Sequence, residues 1–132
     1  MNREILFRAK REATNQWVYG YFVNEYDDFQ IYVQPQIITR SGREYVNENT
    51  LGQFTGLTDK NGIKIFEGDI VLITKNTVTD VVAKIFYSEG AFRTNAANTY
   101  DGEEPLSFWL ANDCDFEVIG NIYDNPELIG GD

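Results

Sequence analysis

Carboxylates are the only side chains present in number that suit acid–base or metal chemistry here. Histidine is absent and cysteine occurs once, at Cys114. The commonest general base, the usual zinc ligand and every Ser-His or Cys-His triad are therefore excluded. Two acidic groups have suggestive spacing. GQFTGLTDKNGIKIFEGDIV, residues 52–71, sets Asp59, Glu67 and Asp69 among Gly52, Gly56, Gly62 and Gly68, and NDCDFEV alternates Asp113, Asp115 and Glu117. Carboxylates alone can hold Mg²⁺ and assist phosphoryl chemistry, so a metal-assisted enzyme using these residues is one reading.

The spacing gives that reading little support. No Gly-Lys-Ser/Thr follows Gly52 and Gly56 and no helix begins there, so a phosphate loop lacks its context. A calcium loop starting at Asp59 would need glycine and glutamate where Lys64 and Ile70 stand. Turns explain the stretch better. Asn61-Gly62 predicts a type I′ hairpin turn joining FTGLT to IKIF, and Gly68-Asp69 predicts a turn into IVLI with Asp69 accepting backbone N–H bonds. On a strand, Asp113, Asp115 and Glu117 would form a solvated edge that discourages sheet aggregation, with Cys114, Phe116 and Val118 on the other face. No metal or cofactor is expected.

Aromatic side chains supply the candidate contact residues. Trp17, Tyr19 and Tyr21 share one face of a predicted strand, and Phe108-Trp109 suits a barrel rim or a protein-docking site with acidic surroundings. Base stacking on the first group would draw on nearby Arg8, Lys10 and Arg11, but a core or subunit interface accounts for it better.

Positioning these residues falls to strands. ILFRA, WVYGYFV, FQIYV, IKIF, DIVLI, VVAKIFY and FEVIGNIY carry aromatic and β-branched residues with period two, and EYDD, RSG, DKNG, SEG and YDNP punctuate them. GAFRTN and SFWL read as further strands, EYVNENTLG and ANTYDGEEP as loops. A short helix is expected at NPEL, capped by Asn125 with Pro126 in its first turn. The expected fold is all-β in two small subdomains, residues 1–62 and residues 63–132, the second an SH3-like barrel.

At 132 residues the chain can bury a core without a disulfide. The lone cysteine, the short apolar run near the N-terminus and the lack of any spanning segment lead to the expectation of a cytoplasmic protein without membrane contact. The formal charge of −10 disfavours nucleic acid as a partner. Its distribution is polar: Arg3, Arg8, Lys10 and Arg11 crowd the start. No Lys or Arg follows Arg93, whereas Asp101, Glu103, Glu104, Asp113, Asp115, Glu117, Asp124, Glu127 and Asp132 do.

TLGQFTGLTDKNGIKIFEGDIV, with REILFRAK before it and FEVIGNIYDNPEL after it, resembles the YopX family of small phage and prophage proteins. The blocks bracket nearly the whole chain, and the central one matches through Thr50, Gly52, Phe54, Asp59, Asn61, Gly62, Glu67, Gly68 and Asp69, among others. Lys10 departs from the aromatic residue that many relatives place after Arg-Ala. The resemblance implies a two-part all-β protein with an SH3-like C-terminal part, and it carries over no catalytic or binding residue.

Three functions follow, in descending order of support: a non-catalytic accessory protein acting through contacts with a host or phage protein, an acidic nucleic-acid mimic, and the metal-assisted enzyme above. Nine Phe, eight Tyr and two Trp exceed what narrow β-layers hide, so a homo-oligomer, by default a dimer, is also expected.

Overall fold

The structure, a computed structural model, describes residues 4–26, 33–75, 79–96 and 103–130. The chain divides into two compact units, Met1–Gly56 and Leu57–Asp132.

The first unit is built from β1 (Phe7–Arg11), β2 (Trp17–Tyr26), β3 (Val33–Thr39) and β4 (Gly42–Thr58), whose last residues pass into the second unit. All pairings are antiparallel: β1 with β2, β2 with β3, β3 with β4, and β4 with β1. Alternation chooses the inward face. Val18 and Gly20 point in from β2, and Val18, Ala9, Ile37 and Val46 form a buried cluster against which Phe7, Phe22 and Leu51 pack. Gly20 is required by close approach, since a Cβ there would lie 2.1 Å from the carbonyl oxygen of Ile38. EYVNENTLG, expected as a loop, belongs to β4 instead. Its register against β1 shifts, Lys10 facing Asn47 and Arg8 facing Gly52, so the extra residues bulge and leave Asn47, Glu48 and Asn49 in water. The Thr50 hydroxyl repairs the interrupted ladder by accepting the Lys10 N–H at 2.8 Å.

The second unit contains β5 (Lys64–Phe66), β6 (Asp69–Lys75), β7 (Thr79–Ser88), β8 (Ala91–Ala96), β9 (Glu103–Pro105), α1 (Leu106–Ala111), β10 (Asp115–Asn121) and a 3-10 helix, Pro126–Ile129. Its sheet runs β10-β6-β7-β8-β9, every neighbour antiparallel. Ile65, Val71, Ile73, Val81, Ala83, Ile85, Leu106 and Phe116 make its core. Each large aliphatic side chain among them contributes about 1.5–3 kcal/mol by leaving water.

Three local expectations change. SFWL is helical, because Pro105 in extended geometry closes β9 and the next turn buries Leu106 while Trp109 packs on the same core. Asn61 does not take positive φ, whereas Gly62 does. The Asp59–Gly62 turn closes with Gly62 N–H donating to Asp59 O at 3.0 Å, a type I turn followed by a left-handed glycine. The I′ pattern falls instead on Glu89 and Gly90, with φ of 52° and 81°, between the paired Ser88 and Ala91. Asn125 does not cap the 3-10 helix with its side chain but accepts the Asn121 N–H at 3.2 Å. FQIYV, apart from Val33, and most of ANTYDGEEP lie outside the described residues, as do Arg3, Asp101 and Asp132.

Candidate protein-contact sites

The acidic groups are engaged in structure. Asp59 is 6 % exposed, and its Oδ1 accepts the N–H groups of Asn61 and Ile63 at 2.8 and 2.9 Å while Oδ2 accepts Val118 N–H at 2.9 Å. Burial pushes this carboxyl up. The N–H groups of Val118, Ile63 and Asn61, with the Lys60 charge beside them, outweigh burial and hold it below its ordinary value. Asp59 thus ties a hairpin turn to β10. Asp69, buried, accepts the Phe66 N–H at 2.7 Å, a backward Asx contact. Among the described residues no group of three or more metal-ligating side chains gathers in one place.

Asp113 does not extend the acidic strand. It follows α1 in a turn with φ of 60°, leaving Asp115 and Glu117 on β10, which stands at the end of its sheet's strand order. Glu117 meets Lys60 Nζ at 3.5 Å, both partly exposed, an ion pair of ~0–1 kcal/mol. Phe116 points the other way and is buried.

On the first unit, Trp17, Tyr19 and Tyr21 share the outward face of β2. Tyr19 is 48 % and Tyr21 66 % exposed, with Trp17 half-buried. The register sets Arg8 beside Tyr19 and Lys10 beside Trp17. Both cations lie over the indole, Arg8 Cζ 4.5 Å and Lys10 Nζ 5.4 Å from its centroid, and both residues are buried. Desolvated contacts of this kind are worth up to ~2 kcal/mol each. These cations therefore pack the sheet and line no open basic groove. The face continues across the sheet in rows: Tyr21 beside Ile38 and Ile38 beside Arg43, then Val23 beside Gln36 and Gln36 beside Tyr45. Tyr45 is largely exposed, and Arg43 forms an ion pair with Glu25. Sequence reading missed Ile38, Arg43 and Tyr45. The signal was the period-two alternation of GREYV, which puts Arg43 and Tyr45 on one side of a strand.

The second unit carries an apolar groove of about 250 Å³ walled by Ile73, Val81, Phe108, Trp109 and Cys114, with Lys75 at its rim. Phe108 and Trp109 meet edge to face at 5.2 Å. Trp109 is fixed because its Nε1–H donates to Thr94 Oγ1 at 2.8 Å, and the Thr94 hydroxyl donates onward to Glu104 O at 3.1 Å. Phe108 stays 41 % exposed. The pair thus splits into a held wall and a free contact. A larger depression of about 570 Å³ on the first unit is lined by Arg11, Glu12, Asn15, Tyr45 and Glu48, among others. Its polar side chains are mostly exposed and Arg11 is engaged by Glu44 at 3.2 Å, so it lacks the apolar wall that anchors a protein side chain.

Against known proteins, the family model described as YopX protein matches residues 6–130, and the chain belongs to that family. It is similar to the crystal structure of protein EF1440 from Enterococcus faecalis, at 26 % identity over 97 % of this chain and 99 % of that chain, with a TM-score of 0.59. It is also similar to the crystal structure of protein yopX from Bacillus subtilis, at 20 % identity over 96 % and 98 % of the two chains and a TM-score of 0.60, a likeness of fold. No curated protein matches. No helix among the described residues is long and apolar enough to cross a membrane.

Proposed function

We propose that this YopX-family chain is a phage- or prophage-encoded accessory protein that works without catalysis, by holding a segment of another protein in the groove of its second unit. The observation that carries this reading is the groove itself, apolar inside and set in a unit whose sequence holds five Lys or Arg against fourteen Asp or Glu. Its volume is below the ~300–1,000 Å³ of small-molecule sites and suits one or two side chains. The segment it fits carries a bulky apolar residue, and the net negative charge of the unit favours a basic partner through long-range steering. Strand order β10-β6-β7-β8-β9, with the last strand returning beside the first of a meander, supports an SH3-like barrel for this unit.

The test is quantitative recovery of a partner from phage-infected or lysogenic cells, followed by titration of the purified pair. Phe108→Ala is expected to weaken binding about tenfold or more, as truncation of an interface anchor does. Tyr87→Ala, at a side chain more exposed than Phe108 on the same unit and outside the groove, serves as the control and leaves it unchanged. A partner held equally well by wild type and Phe108→Ala overturns the groove, and repeated failure to recover any partner overturns the reading.

A second reading is favoured by the same charge count: the second unit as a mimic of nucleic acid on a host DNA-binding enzyme. It predicts inhibition that falls steeply with added salt. Salt-insensitive binding, or none, removes it.

A further inference from the structure

We propose that the polar depression of the first unit binds a neutral saccharide, independently of the groove in the second unit. Strand topology opens it. β4 pairs with β3 as far as Tyr45, which faces Gln36, and with β1 from Val46, which faces Arg11. The end of β1 and the start of β3 therefore bound an opening beside the point where β4 changes partners. The bulge that follows in β4 brings Asn47 and Glu48 to its rim, and bulges commonly re-aim side chains in this way beside binding sites. At about 570 Å³ the depression falls within the ~300–1,000 Å³ of small-molecule sites.

Its hydrogen-bonding groups choose the ligand. Arg11 commits three of its five N–H groups inside the fold, two to Glu44 at 3.2 and 3.5 Å and one to Gln16 Oε1 at 3.4 Å, so its charge is matched and two donors remain. Asn47 Oδ1 accepts the Asn49 N–H at 3.0 Å, which leaves its NH2 group as a further donor. Acceptors stand beside them. The carboxylates of Glu12 and Glu48 and the side-chain amide of Asn15 line the same depression and make no hydrogen bond or ion pair among the described residues. An ammonium only donates and a phosphate only accepts, so either leaves half of this lining without a partner. Each sugar hydroxyl does both.

One aromatic ring completes the match. Tyr45 is 58 % exposed and lines the depression. A pyranose has a face of C–H groups and a rim of hydroxyls, and it packs the face on such a ring while the rim reaches the guanidinium, amide and carboxylate groups around it. A nucleobase is apolar on both faces and would leave one against polar side chains. Backbone bonds hold the shape: Glu12 N–H donates to Tyr45 O at 3.0 Å and Asn15 N–H to Arg11 O at 2.9 Å, so the site is ordered before a ligand arrives.

Amide-detected NMR titration of the full chain with maltotriose, cellotriose and N,N′-diacetylchitobiose, each to about 10 mM, decides the matter. At least one is expected to bind, with shifts gathered at residues 11–15 and 45–48. Tyr45→Ala is expected to weaken that binding at least about tenfold while leaving the rest of the spectrum unchanged, and Tyr45→Phe should keep it. Tyr21→Ala, at an exposed ring outside the depression, serves as the control. Phe108→Ala should also leave it intact, which separates this site from the groove of the second unit. Failure of all three sugars to bind overturns the proposal. So do shifts placed elsewhere, a Tyr45→Ala chain that binds as tightly as wild type, or spermidine, adenosine or inorganic phosphate binding at these residues more tightly than any of the sugars.

Discussion

Among the described residues, the charged side chains buried in the first unit are cations, Arg8 and Lys10, and those buried in the second are carboxylates, Asp59 and Asp69. Each sign finds its own compensation. The cations lie on the π-face of Trp17, and the carboxylates take backbone N–H groups left over at turns. The surfaces diverge as well, six cations against seven carboxylates in the first unit and five against fourteen in the second. Residue types alone therefore misidentify chemistry in this protein. Basic residues beside aromatics suggest nucleic acid, and acidic residues among glycines suggest metal, yet in both places the charge is engaged within the fold.

The largest effect expected from breaking this arrangement is at Asp59. Asp59→Ala leaves three backbone N–H groups without their acceptor, and with ~1.5–3 kcal/mol for a hydrogen bond to a charged group, partly recovered by water, a loss of about 3 kcal/mol is expected. Asp59→Asn keeps one acceptor oxygen and should lose less. The pH dependence follows from the depressed carboxyl. Its stabilisation is fully present above the unfolded value of about 3.9 and is lost as pH falls through the lower folded value. Urea unfolding of wild type and Asp59→Asn should therefore differ by a constant amount near neutrality and converge in strong acid. A difference independent of pH would show that the carboxylate charge plays no part.

A smaller effect separates the two tryptophans. Trp109→Phe removes the donor to the buried Thr94 hydroxyl, for an expected cost of about 1 kcal/mol. Trp17→Phe keeps a ring beneath Arg8 and Lys10 and should cost only about 0.5 kcal/mol, the difference between indole and phenyl as a cation platform. Denaturant midpoints of the two variants rank them directly. The reverse order would mean that the cations of the first unit depend on indole more than the second unit depends on its hydrogen bond.

Where the sequence was legible, one face was wet and the other dry. WVYGYFV alternates cleanly because Val18 and Gly20 fill one side and Tyr19 and Tyr21 the other, and DIVLI and VVAKIFY announce themselves by β-branched runs. EYVNENTLG failed for the opposite reason. Its polar triplet sits on the bulge that the β1 pairing forces, a tertiary event with no local signal. SFWL has no alternation to read, and only the packing of Leu106 and Trp109 beside one another on a core fixes its helix. Trp17, Tyr19 and Tyr21 were legible as a shared face, but their partners Ile38, Arg43 and Tyr45 were not, because register between distant strands decides which residues complete it.

An effect of similar size concerns backbone conformation, where the units again differ by charge. Among the described residues, positive φ at a non-glycine residue occurs at Asn15 in the first unit, at 62°, and at Glu89 and Asp113 in the second, at 52° and 60°. Asparagine tolerates this region and glutamate does not, a difference of up to about 1 kcal/mol. Glu89 is 81 % exposed at its side chain and lies 3.6 Å from Arg93 Nη2, so the ion pair returns at most ~0.5 kcal/mol. Arg93 remains placed without it, through its Nε–H donating to Ser88 O at 3.0 Å. Glu89→Asn should thus stabilise by about 0.5 kcal/mol, and the reciprocal Asn15→Glu should destabilise by about 1 kcal/mol. Melting temperatures of the two variants give the signs at once. Stabilisation by Glu89→Asn would mean that the second unit carries this carboxylate at a cost in backbone energy, as expected if its acidity serves a partner, whereas destabilisation would assign Glu89 to Arg93 and detach it from the partner's charge.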